Sequence, residues 1–149
     1  MPALRPLAVE VLRTLAPIDA LVYGISFDSG RRQVTLSIGI DSRCEVEIAE
    51  LVLAGEGEVI VEFSFHGVQS ASVKSAVPRS AAVEPDEPPQ EYEIATWSVK
   101  SRSFRNTHTL EIRCYLGTVF TIEFASAAIG LSELKPGQRH EYPPVAPKP

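Results

Sequence analysis

The residues of this chain that carry reactive groups are few and scattered. Three histidines, His66, His108 and His140, stand far apart, and none has a second ligand type at metal spacing. No Gly-x-Ser-x-Gly elbow, phosphate-cradling glycine run, dinucleotide fingerprint or His-Glu-x-x-His pair occurs. A base assembled from distant strands would have to combine His66 with Asp19, Asp28 or Asp41. Asp28 and Asp41 sit in turn-like sequence, where a carboxylate bonds nearby backbone amides. His66 follows a strand-like run and precedes Gly67, and reads as a half-buried, satisfied side chain. His140 belongs to a proline-rich tail and reads as solvated. The expectation is a non-enzymatic chain with no catalytic residue, no metal site and no cofactor.

Local charge carries more information. Glu84, Asp86, Glu87, Glu91 and Glu93 place five acids in ten residues without a base among them. Lys100, Arg102 and Arg105 follow, with Trp97 and Phe104 interleaved. An acidic, proline-rich stretch is ordinarily a hydrated loop. In a functional role it would present carboxylates to a basic partner, with Trp97 as an aromatic anchor if exposed and Arg102 beside it. Trp97 also suits a core position. The basic–aromatic segment resembles single-strand nucleic-acid contacts, but three cations beside five anions would hold phosphate weakly. The candidate partner-binding residues are Glu84, Asp86, Glu87, Glu91, Glu93, Trp97 and Arg102.

Composition bounds the class. The chain has 149 residues, 44% hydrophobic and 22% charged, which suits one globular domain and excludes a disordered tail or a coiled coil. Fourteen basic against nineteen acidic residues give a formal charge of −5, unlike a nucleic-acid binder, which needs positive surface to displace counterions. Cys44 and Cys114 lie 70 positions apart with no Cys-x-x-Cys, and read as buried, reduced thiols. Glu10 and Arg13 interrupt the N-terminal apolar residues, so no signal peptide is expected; no run approaches the ~18 apolar residues of a membrane span. The expected compartment is the cytoplasm.

Prolines divide the chain. All twelve lie at or before Pro17, between Pro78 and Pro89, or from Pro136 onward. Because proline removes a ladder donor, residues 18–77 and 90–135 read as two sheet-forming halves of one domain, 18–135, around a connector at 78–91. Residues 1–17 form an N-terminal segment with a short helix over 4–15, Pro6 falling in its first turn, and 136–149 a flexible tail. Leu21, Tyr23, Ile25 and Phe27 alternate with more polar neighbours up to the turn Asp28-Ser29-Gly30-Arg31, and Val34, Leu36, Ile38 and Ile40 answer them as a hairpin. Val59, Val61, Phe63 and Phe65 make a further strand after the turn at 55–58. Gly67 marks a bend, and a short polar strand follows over 70–75. Residues 92–100, with Ala95, Trp97 and Val99 on one face, then Leu110 to Cys114, then Phe120 to Phe124 after the turn at 115–118, complete the pattern. Residues 45–53 read as a strand or one helical turn, with strand preferred. The predicted fold is all-β or β-dominated α+β, a mainly antiparallel sheet or sandwich of about six or seven strands.

One arrangement is familiar. Ile18-Asp19-Ala20 opens an alternating strand, Val34-Thr35-Leu36-Ser37-Ile38 answers it, and Phe63-Ser64-Phe65-His66-Gly67-Val68 follows. Gly117 to Phe124 forms a late hairpin ending in an aromatic strand. Over residues 18–131 this order resembles small bacterial β-sheet immunity proteins of polymorphic toxin systems, and related families of unknown function. In those families a histidine often precedes the Asp-Ala pair, where this chain has Ile18. The resemblance implies binding without catalysis, in which an acidic inhibitor captures a basic toxin-like domain.

The reading is therefore a cytoplasmic protein-binding domain. Two alternatives stand beside it: a small β-barrel or sandwich holding an apolar ligand among Phe63, Phe65, Phe120 and Phe124, and an enzyme with a dispersed site. Self-association through an exposed sheet edge is a further expectation.

Overall fold

Alternating β-branched and aromatic residues bury one face of a strand and wet the other, and most of the nine strands among the described residues show that pattern. The computed structural model describes residues 4–40, 59–74, 92–102, 105–115 and 117–132. In chain order the elements are β1 (Arg5–Leu7), α1 (Val9–Leu15), β2 (Leu21–Asp28), β3 (Gln33–Ile40), β4 (Val59–His66) and β5 (Ser70–Lys74). Then come β6 (Ile94–Arg102), β7 (Thr107–Cys114), β8 (Val119–Phe124) and β9 (Ser126–Leu131). They form two antiparallel sheets, ordered β1-β9-β4-β3-β2 and β5-β8-β7-β6. The β-dominated sandwich expected from the sequence is the observed fold, and among the described residues the sheets do not close into a barrel.

The core lies between the sheets. Val34, Leu36, Ile38, Val61, Phe63, Phe65 and Ile129 from the first sheet face Trp97, Leu110, Ile112, Phe120, Ile122 and Phe124 from the second. Aromatic rings join the layers: Phe65 meets Phe124 at 4.8 Å between centroids, and Phe63 meets Trp97 at 5.8 Å. Both pairs are tilted, the geometry the ring quadrupoles prefer. Cys114 is a buried thiol at the end of β7.

The sheets meet at two corners. At the first, β4 runs into β5 through Gly67 while β8 runs into β9 through Ala125, so one two-stranded ribbon serves both sheets. Gly67 adopts φ +64°, and a Cβ there would stand 2.8 Å from the Cβ of Ala125. Bonds from Ala125 N–H to the His66 carbonyl (2.9 Å) and from Gln69 N–H to the Glu123 carbonyl (2.8 Å) carry the ladder round the bend. At the second corner the start of β2 is tied to the start of β6. The Asp19 N–H donates to the Ile94 carbonyl at 2.9 Å, the Ile94 N–H donates to the Ala20 carbonyl at 2.8 Å, and Leu21 pairs with Glu93.

Helix α1 is shorter than the sequence suggests. Pro6 lies in β1, paired with Ala128, and not in a first helical turn. The flanks explain this: Ala8 caps without a side-chain bond, and Ala16 ends the helix in the left-handed region at φ 37°. Seven residues with weak caps depend on tertiary contacts. Leu12 and Leu15 are buried, and the Trp97 indole N–H donates to the Leu12 carbonyl at 2.9 Å. That bond satisfies one carbonyl left open at the helix end.

Two strands, β1 and β9, were not assigned from the sequence. The 28–31 turn, the Gly67 bend and the hairpin between β7 and β8 are where the sequence places them. Asp28 accepts from the Arg31 N–H at 3.1 Å, as its turn reading requires. The segment 45–53, the 55–58 turn, the connector 78–91, the tail 136–149, Asp41, Cys44, Phe104 and His140 lie outside the described residues.

The corner makes a stability prediction. Gly67→Ala must strain a left-handed residue and push Ala125 aside, and is expected to lower the unfolding free energy by about 2–4 kcal/mol. Urea unfolding of both proteins measures it; a change below about 0.5 kcal/mol, the scale of a neutral surface substitution, would mean the ribbon bends without needing glycine.

Candidate functional site

Among the described residues three polar groupings stand out: His66 belongs to the first, His108 to the second, and Asp19 and Glu93 to the third. Ser64, 1% exposed on the outer face of β4, accepts from the Gln33 side-chain amide at 2.9 Å and stands 3.1 Å from His66 Nε2. A hydroxyl oxygen can accept twice, so the imidazole tautomer sets which partner donates in the bond to the ring. His66 is half-buried and hydrogen-bonded, as expected.

The second grouping joins α1 to the sheet. Arg13 Nη2 donates to Ser101 Oγ at 2.7 Å, Ser101 Oγ lies 2.7 Å from His108 Nδ1, and Arg13 Nε donates to the Val99 carbonyl at 3.2 Å. Ser101 and His108 are directly opposed on β6 and β7, and the imidazole packs on Phe124 at 5.6 Å. The guanidinium takes up a carbonyl of the edge strand β6 and so helps α1 cover that edge. Neither histidine is bonded to a carboxylate, and no group of three or more His, Cys, Asp or Glu is placed to hold a metal, among the described residues.

The third grouping is the candidate site. At the second corner the Tyr115 hydroxyl donates to Asp19 Oδ1 at 2.6 Å, and the Tyr115 N–H donates to the Glu93 carbonyl at 3.0 Å. Asp19 is exposed at φ 68°, a conformation aspartate tolerates better than most side chains. Tyr115 is 54% exposed in the turn between β7 and β8. The result is a surface patch of two carboxylates around an exposed aromatic ring. The hydrogen bond to Asp19 raises the Tyr115 phenol above its ordinary value of 10.0, with smaller contributions from desolvation and from the charges of Asp19 and Glu93. Such a patch is suited to a lysine or arginine side chain, which a carboxylate pairs with and an aromatic face attracts.

Of the sequence candidates, Glu93 belongs to this patch. Arg102 is exposed at the far end of β6, opposite Thr107, roughly 30 Å away along the extended strand, so the two do not share a contact. Trp97 is 7% exposed with its N–H committed to α1, and is a core side chain with no surface to offer a partner. Glu84, Asp86, Glu87 and Glu91 lie outside the described residues. Tyr115 was read only as a turn residue; an exposed aromatic in a tight turn was the signal available for it. Among the described residues no helix is long and apolar enough to cross a membrane. Comparison with family models, curated proteins and solved structures finds no match to this chain.

The tyrosine gives a pH test. A raised phenol value means the neutral form is favoured by the fold, so its contribution to stability is present below about pH 10 and is lost as pH rises through the higher native value. Asp19→Asn keeps the backbone conformation accessible but removes the charge. The Tyr115 ring carbon resonances are therefore expected to titrate at lower pH in that variant than in the wild type. Identical midpoints would show that Asp19 does not hold the phenol.

Proposed function

We propose that this chain is a non-enzymatic cytoplasmic domain that binds a basic protein, in the manner of an immunity-type inhibitor of a toxin. The observation that carries the reading is the patch of Asp19, Glu93 and the exposed Tyr115, set at the point where the acidic stretch 84–93 enters β6. Exposed tyrosine flanked by carboxylates is an interface composition in which the ring supplies contact area and the charges steer encounter. The overall charge of −5 adds long-range attraction for a cationic partner.

The interior lends less support to a small apolar ligand. Phe63, Phe65, Phe120 and Phe124 are each 0% exposed and packed on other rings; Phe120 lies 6.1 Å from Tyr92 and Phe65 lies 4.8 Å from Phe124. A ligand among them would have to part rings already in contact. The two described histidines, His66 and His108, lend the enzyme reading less support, since each is bonded to a serine already receiving another donor.

Capture from native lysate at low salt, using the wild type and an Asp19→Asn/Glu93→Lys double variant, tests the proposal. We expect one stoichiometric basic protein on the wild type, with at least about tenfold less on the variant and release by moderate salt. Equal recovery on both proteins, or a small molecule recovered without a protein, would overturn it.

A further inference from the structure

The Arg13 guanidinium is held in place by two bonds, and neither partner carries a charge. Its Nε donates to the Val99 carbonyl at 3.2 Å and its Nη2 donates to Ser101 Oγ at 2.7 Å. Among the described residues no carboxylate is bonded to it, Glu10 one turn earlier on α1 included. A guanidinium has five N–H donors, so three are left over after these two bonds. A cation fixed by neutral acceptors keeps its whole charge for an anion from outside.

The same row of bonds continues to His108. Ser101 Oγ lies 2.7 Å from His108 Nδ1, the two residues are directly opposed on β6 and β7, and the ring rests on Phe124 at 5.6 Å. In the tautomer in which Ser101 donates to Nδ1, the proton of the neutral ring sits on Nε2, which makes no hydrogen bond among the described residues. An anion at Nε2 favours that tautomer. Arg13 and Ser101 are exposed and His108 is half-buried, so the row opens on solvent.

The surrounding charge has one sign. Lys100 and Arg102 flank Ser101 in the chain, both exposed, and Arg105 follows in the next turn. No acid occurs from Ser98 to Leu110, and Glu111 beyond them is bonded to Arg113 at 2.8 Å. On sequence alone the acids 84–93 would neutralise these cations, but Glu93, the described one among them, precedes the first residue of β6, whereas Arg102 is its last.

We propose that Arg13, Ser101 and His108 form a binding site for the phosphate group of a phosphate monoester, with Lys100 and Arg102 adding positive field. Guanidinium, hydroxyl and imidazole suit the several oxygens of a tetrahedral oxyanion, and a group carrying about −1.5 to −2 charges gains more from that field than a carboxylate does. A phosphorylated side chain, a mononucleotide and free phosphate all present this chemistry. The site lies at the other end of β6 from Asp19 and Glu93 and does not rest on the toxin-inhibitor reading.

Titration of the full, isotope-labelled chain with inorganic phosphate at fixed ionic strength tests the proposal, read by NMR at the Arg13 Nε–H, the Ser101 amide and the His108 ring. We expect saturable shifts centred on those groups, with a Kd of about 1 mM or tighter and acetate at least about tenfold weaker. Arg13→Gln keeps a donor for the Val99 carbonyl but removes the charge, and should weaken phosphate binding at least about tenfold. Because Arg13 also fastens α1, His108→Gln is the second variant; it leaves the helix bonds of Arg13 and Trp97 in place and should weaken binding as well. Circular dichroism of each variant checks that the fold is retained. Phosphoserine and a nucleoside monophosphate, titrated separately, name the source: whichever of the three phosphates saturates at the lowest concentration is the form the site takes. No saturable shift up to about 20 mM phosphate, well above the expected Kd, overturns the proposal. So do shifts centred on other cations such as Lys74 or Arg113, acetate binding as tight as phosphate, or binding that neither variant weakens.

Discussion

The close approach of Gly67 to Ala125 is the constraint on which the sandwich depends. One two-stranded ribbon supplies β4 and β9 to the first sheet and β5 and β8 to the second, so both layers are oriented by a single bend. A bend this tight brings the two chains together where they turn, and leaves no room for a side chain on the inside: the added Cβ would sit 2.8 Å from its neighbour. Glycine answers both demands, the left-handed backbone and the missing volume. Once the ribbon is folded, Phe65 and Phe124 are carried onto each other, and the aromatic centre of the core follows from the same geometry.

The opposite side is closed by different means. Among the described residues β2 and β6 are joined by three backbone contacts, at residues 19–21 and 93–94, and α1 fills in against β6. The helix is too short and too poorly capped to hold itself. It is held by Trp97 and Arg13, which give the edge strand and the helix end partners for groups that would otherwise be open. Trp97 thus has a structural task at each end of its indole: the ring packs on Phe63 while the N–H fastens the helix. Using it as an exposed anchor would give up both.

Much of this fold is legible in the sequence because strand periodicity and turn chemistry are local. Alternation from Leu21 to Phe27 and from Val34 to Ile40, with Asp28 and Gly30 between, specifies a hairpin within a few residues. β9 escapes notice because Ser126-Ala127-Ala128-Ile129-Gly130-Leu131 is built of small residues; its strand character comes from lying between β1 and β4, not from its own preference. β1 is hidden for a similar reason, since Pro6 argues against a strand except at an edge, where it is found. The candidate site was half visible. Glu93 stands out as the last acid of a run, and Asp19 only as one of three aspartates that could partner His66 in a dispersed base, which the structure does not pair. That they adjoin Tyr115 is a consequence of the seam between strands 70 or more positions apart, which no local pattern encodes.

The distribution of charge follows from the same architecture. On the exposed face of the second sheet, Lys74, Lys100, Arg102 and Arg113 outnumber Glu111 and Glu123, and Arg113 is already bonded to Glu111 at 2.8 Å. The seam bears Asp19 and Glu93 instead, with the acidic stretch leading into it. A chain of net charge −5 therefore does not present one uniform field. Long-range attraction of a cation is weak over the basic sheet face and concentrated at the corner where β2 and β6 meet, because screening limits each patch to about a Debye length.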